Sequence, residues 1–150
     1  MSIFKSLFKK KESGITPEQK DLVQSTFVQV VPIAETAASI FYDKLFELNP
    51  DLKPLFKGDM KEQGQKLMTM LAAAVKGLDD MKSLVPIVQD LGKRHVNYGV
   101  SDKDYETVAE ALLYTLEKGL GSSWNEEVKN SWAAVYGVLA TTMKDAAKAA

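Results

Sequence analysis

Apolar residues recur every three or four positions through most of the chain, and turn-forming residues fall between those runs. Leu22, Val23, Phe27 and Val30 share one helical face. Thr16-Pro17-Glu18-Gln19 opens it, reading as an N-cap, a first-turn proline and a glutamine at the third position. Pro32 interrupts, and a second helix is expected from about 33 to 48. It is apolar on more than one side (Ala34, Ala37, Ala38, Ile40, Phe41, Leu45, Phe46), which predicts deep burial. Asn49-Pro50 and Pro54 keep the next turn short, and 55–59 read as a connector. A helix over about 60–78 carries Gln63, Leu67, Leu71, Val75 and Leu78 in one stripe, ended by Gly77 and Asp79-Asp80. The run that follows places Leu84, Val88, Leu91 and His95 at steps of four, three and four, so the imidazole falls on the apolar face. Gly99 breaks the chain, and Ser101-Asp102-Lys103-Asp104 caps a helix bearing Tyr105, Val108, Leu112 and Leu116, with Gly119 at its end. Ser123-Trp124-Asn125-Glu126 reads as another capping box before a last helix with Val128, Trp132, Val135, Leu139 and Met143. No stretch alternates with period two, so no strand is predicted and the chain reads as all-α.

Length and charge narrow the function classes. The 150 residues suit one domain with a sizeable core, and a net charge of −1 gives no electrostatic footprint for nucleic acid. With no cysteine, thiolate metal sites and disulfides are excluded. No apolar run approaches the roughly 20 residues of a membrane span, and a secretory signal is not seen, so a soluble, cytoplasmic protein is expected. Residues 1–14 stand apart from the domain expected over 15–150. If helical, they put Ile3, Phe4, Leu7 and Phe8 on one face among Lys5, Lys9, Lys10 and Lys11. That is either a solvated leader or a short basic helix that touches an anionic membrane surface through residues 1–11. Ser2 replaces the glycine that myristoylation needs.

His95 is the only histidine, and a lone imidazole on an apolar face is either a satisfied core group or one ligand of a metal. Two further polar groups enter apolar surroundings: Gln63, in line with Leu67 and Leu71, and Tyr42, inside the most apolar helix. Each needs a hydrogen-bond partner if buried. A single histidine excludes the di-metal carboxylate bundle, which needs paired Glu-x-x-His motifs. Spacing alone leaves open a helical bundle with a polar core or a shared ligand held between these groups.

The order Phe41-Tyr42-x-x-Leu45-Phe46, Asn49-Pro50, Leu55-Phe56, Gln63 and Leu67, Pro86, Arg94-His95 and Trp132-Ala-x-Val-Tyr136-Gly137 resembles the globin family over residues 15 to 146. Within it, the chain is most similar to bacterial single-domain haemoglobins and the globin domain of flavohaemoglobins. The resemblance implies a three-over-three helical sandwich around haem b, with His95 as the proximal iron ligand. Tyr42 and Gln63 become the distal pair that stabilises a bound gas, Phe56 wedges the porphyrin, and Leu67 lines the same pocket. Lys66 reaches a haem propionate, while Leu91, Tyr98, Val100, Val108 and Val135 form apolar walls. It also implies dioxygen, nitric oxide or carbon monoxide as ligands. Three roles follow: reversible dioxygen binding, nitric oxide dioxygenation with electrons from a separate reductase, or gas sensing through a partner. Because the sequence ends at Ala150, before any flavin or nicotinamide domain, any electrons are expected to come from a separate partner such as a reductase. With no second histidine, six-coordination by two histidines is excluded.

One departure bears on the chemistry. Flavohaemoglobins back the proximal histidine with a tyrosine and a glutamate. The tyrosine corresponds to Tyr105, ten residues after His95, but the glutamate position, fifteen after Trp132, falls on Ala147. Asp145 is near it on a different helical face. The expectation is therefore weighted toward ligand binding over oxidative chemistry.

Overall fold

A computed structural model describes residues 14–56 and 58–149; the leader's predicted helix lies outside them. Among the described residues there are six α-helices and no strand: α1 (Pro17–Val30), α2 (Ala34–Leu48), α3 (Met60–Gly77), α4 (Met81–Asn97), α5 (Asp102–Leu120) and α6 (Glu126–Ala149). Short 3-10 turns occupy Val31–Ile33, Pro50–Leu55 and Gly121–Ser123. The first two hold the prolines, Pro32 and Pro50 with Pro54, that kept them from becoming α-helical.

The caps follow the residue chemistry. Thr16 Oγ1 accepts from the Gln19 N–H at 3.1 Å while Gln19 Oε1 accepts from the Thr16 N–H at 3.0 Å, the reciprocal box expected. Ser101 and Asp104 form the same box ahead of α5. The expected box at Ser123 is corrected: Asn125 Oδ1 caps α6 by accepting from the Val128 N–H at 2.8 Å, and Ser123 closes the 3-10 turn instead. The end of α5 also moves, from Gly119 to Gly121, whose φ of 53° lets the chain leave the helix.

Helices α1, α3 and α4 form one layer and α2, α5 and α6 the other. Helix α4 lies along α6, α1 packs on α6, α2 packs on α5, and α2 crosses α3. That last crossing is close because Gly64 lacks a side chain: a Cβ there would stand 3.0 Å from Ala38 Cβ. The α4–α6 contact is tighter still. A Cβ on Gly92 would run into the Met143 carbonyl oxygen, so backbone meets backbone there.

The core joins Val23, Phe27, Phe41, Leu45, Leu112, Leu116 and Trp132 across both layers. One polar bridge is sealed inside it. The Trp132 indole N–H donates to Thr26 Oγ1 at 2.9 Å, and that hydroxyl donates to the Leu22 carbonyl at 2.6 Å. The expected burial of α2 on more than one side is corrected: Ala37, Ala38, Phe41, Tyr42 and Leu45 form one broad buried face, flanked by half-buried Ala34, Ile40 and Phe46, while Glu35, Thr36, Ser39, Asp43 and Glu47 form an exposed strip.

Candidate functional site

Helix α4 leaves one of its faces open. Ile87, Leu91, His95 and Tyr98 follow at steps of four, four and three, which aligns them along the helix. Leu91 and His95 are half-buried, while Ile87 is 54% and Tyr98 53% exposed. Across the interior, Leu67 and Leu71 of α3 are also only half-buried. A contiguous apolar face left open to solvent is costly and marks a surface that something covers.

His95 is oriented for coordination. Its Nδ1 lies 2.8 Å from the Leu91 carbonyl, one turn back, so that nitrogen carries the proton and donates it. Nε2 is left with its lone pair and makes no hydrogen bond to any described residue. Burial lowers the imidazole's proton affinity; the Leu91 carbonyl opposes that shift and the Arg94 charge adds to it. A neutral ring with one oriented lone pair is the form a metal requires. Among the described residues no group of three His, Cys, Asp or Glu side chains could hold a bare ion. A haem iron, which carries its own porphyrin ligands, needs only the one imidazole that His95 offers.

Tyr42, Phe46 and Phe56 make an aromatic cluster where α2, the Pro50–Leu55 turn and α3 converge. The Tyr42 ring stacks on Phe46 at 5.9 Å and meets Phe56 edge-on at 5.2 Å. Its hydroxyl donates to the backbone carbonyl of Gln63 at 3.3 Å, a long bond. Only 8% of Tyr42 is exposed, and burial pushes its phenol up to about 12. The hydroxyl stays protonated at every ordinary pH and remains a donor. Thus two sets of sequence-predicted residues are each brought together: Tyr42, Phe56 and Gln63 on one side, Leu91, His95, Tyr98 and Tyr105 on the other.

The remaining expected residues divide by exposure. Leu67, Val100 and Val108 are half-buried, as a pocket wall would be. Val135 sits in the closed core at 3% exposure, Lys66 is exposed one turn after Gln63 at the flank of its face, and Tyr98 stands more open than a wall residue covered by protein. Sequence reasoning named Tyr136 only within the family motif and gave it no role; its hydroxyl donates to the Tyr105 carbonyl at 2.6 Å and ties α6 to the start of α5. It missed Gly92 and Lys144. A glycine inside an otherwise periodic helix was the available signal for Gly92; nothing local marks Lys144. One cavity of about 190 Å³ lies beside Ile15, Leu78 and Met81, and one of about 140 Å³ lies between α5 and α6, bordered by Tyr105.

An all-α, two-layer fold with one histidine on an open apolar face defines a class of cofactor-binding helical domain. The comparisons with known proteins give its family. The family profile described as Globin matches residues 39–143, and the chain belongs to the globin family. A curated relative, "Flavohemoprotein" of Bordetella parapertussis, is 32% identical over 129 residues, which are 84% of this chain and 32% of the relative. The same-named protein of Rhizobium meliloti is 29% identical over 129 residues, again 84% of this chain and 32% of its own. The chain thus spans about a third of the length of these relatives. Among solved structures, a "hexacoordinated heme protein from anhydrobiotic tardigrade" superposes with a TM-score of 0.81 at 18% identity, over 89% of this chain and 96% of that one. That similarity shares the three-over-three globin fold.

Proposed function

We propose that this globin holds haem through His95 and binds dioxygen reversibly on the side lined by Tyr42 and Gln63. The observation that carries the reading is His95 itself, with Nδ1 committed to the Leu91 carbonyl and the Nε2 lone pair left on an open apolar face. Haem, when bound, supplies a ferrous iron able to take a diatomic gas. The chain does the rest. Leu67, Leu71, Leu91, Val100 and Val108 offer apolar surface that covering would remove from water, at about 25 cal/mol per Å² buried. Phe56 holds the Tyr42 ring edge-on, and Tyr42 keeps a protonated hydroxyl on the distal side. A donor there favours a gas that gathers negative charge when bound, and dioxygen does so more than carbon monoxide.

Nitric oxide dioxygenation is the second reading. The relatives' name and the same distal pair support it, given electrons from a separate donor. The proximal side favours binding, because Ala147 stands at the glutamate position of flavohaemoglobins and a lysine ammonium lies over the Tyr105 ring. Absorption spectra of purified protein, oxidised, reduced, and reduced under carbon monoxide, test the haem reading. Wild type should show a histidine-ligated haem spectrum, and His95→Ala should lose most haem affinity together with the ligand-induced melting-temperature gain. An unchanged Soret band in His95→Ala would overturn the assignment.

A further inference from the structure

Behind His95 lies a second shell of side chains. The Tyr105 ring stands 6.4 Å from the imidazole, tilted by 30°, and is 8% exposed. Tyr136 holds the Tyr105 backbone through its 2.6 Å hydrogen bond. On the Tyr105 ring rests the ammonium of Lys144, 5.7 Å from the ring centre. Lys144 is half-buried and forms no ion pair with any described carboxylate. The neighbouring acids are otherwise placed: Asp102 pairs with Lys148 at 3.8 Å, and Glu106 and Asp145 are exposed. Arg94, beside His95, is already paired with Asp90 at 3.1 Å. The cation on the ring behind the imidazole is thus in no ion pair with a described carboxylate, and the only one of them whose charge reaches Tyr105 is the exposed Asp102, shared with Lys148.

We propose that Lys144 acts as a field-setting residue that raises the reduction potential of a haem held by His95, biasing it toward the ferrous, gas-binding state. The proposal rests on the haem reading above. Ferric haem carries one more positive charge than ferrous haem, so a fixed cation nearby disfavours oxidation. The two ring separations place the ammonium within about 12 Å of the imidazole. At the effective dielectric of about 20 that suits protein sites, one charge at about 12 Å changes the redox equilibrium by about tenfold, which is 59 mV for one electron. Partial exposure of Lys144 reduces this to roughly three- to tenfold. Lys144 also borders the cavity between α5 and α6, so replacing it requires no repacking of the core.

The test is the midpoint potential of the haem-loaded protein, by spectroelectrochemistry, for wild type, Lys144→Met, Lys144→Glu and Lys144→Arg, with melting temperatures alongside. The potential should fall in Lys144→Met, fall further in Lys144→Glu, and return to the wild-type value in Lys144→Arg, with melting temperatures little changed. Equal potentials in all four proteins, each with a normal histidine-ligated spectrum, would overturn the proposal. So would a drop in Lys144→Arg equal to that in Lys144→Met, because shape and not charge would then be responsible. Failure of the haem reading is seen separately: wild type would show no histidine-ligated spectrum before any variant is compared.

Discussion

Tyr42→Phe deletes one hydroxyl and leaves the ring against Phe46 and Phe56. A bond from that hydroxyl to bound dioxygen, charge-assisted, contributes roughly 1.5–3 kcal/mol. The structure lowers the net figure. The hydroxyl already donates to the Gln63 carbonyl, and that bond must be given up when it turns to the gas. At 3.3 Å it is a weak one, at the low end of the roughly 0.5–1.5 kcal/mol of a neutral hydrogen bond. About 1–2.5 kcal/mol remains, which corresponds to dioxygen leaving about five- to seventyfold faster. Carbon monoxide, less polar when bound, should leave at nearly the wild-type rate. Gln63→Leu should act in the same direction but more weakly, since Gln63 is half-buried and its amide is less firmly placed. If both donors share one gas molecule, the double variant should be non-additive. Stopped-flow dissociation of both gases decides it. Equal acceleration of dioxygen and carbon monoxide would mean that Tyr42 acts by bulk, and unchanged rates for both would mean that it does not face the ligand.

The remaining predictions concern the framework that holds the site. Gly92→Ala should lower stability by about 1–3 kcal/mol, although alanine is the better helix former by about 1 kcal/mol, because the new methyl meets the Met143 backbone. It should also weaken haem binding, as His95 lies one turn away, and chemical denaturation with a haem titration would show both; a gain in stability would refute the close crossing. Thr26→Val keeps the shape but leaves the Trp132 N–H, on a residue 2% exposed, without its acceptor. The cost should be about 1–3 kcal/mol, or roughly 2–4 °C of melting temperature per kcal/mol, and Thr26→Ser should restore it. At high pH the unfolded chain loses its tyrosine protons near 10.0 while Tyr42 holds its own up to about 12. Stability should therefore be full below pH 10 and decline as pH rises toward 12. Tyr42→Phe should flatten part of that slope and leave the share due to Tyr136, which burial also raises; urea midpoints across this range would reveal identical slopes if the burial argument were wrong.

Much of this protein is written locally. Helix periods and cap residues at Thr16 and Ser101 depend on neighbours three or four positions away, so they were legible from residue order. The same holds for the placement of His95 on an apolar face, since its hydrogen-bond partner Leu91 is one turn back on the same helix. The pattern Tyr42, Phe56, Gln63, His95 named the family that the profile match then confirmed. What residue order did not contain is everything set by how two helices cross. That Tyr42 spends its hydroxyl on a backbone carbonyl of α3, that Gly92 touches the Met143 backbone, and that Lys144 lies over Tyr105 all depend on interhelical distances. Those distances are settled by the packing of side chains across both layers at once. Even Asn125 displaced Ser123 as the cap of α6 because a 3-10 turn took up Ser123 first. Periodicity assigns each residue a face, and only the tertiary structure decides what that face meets.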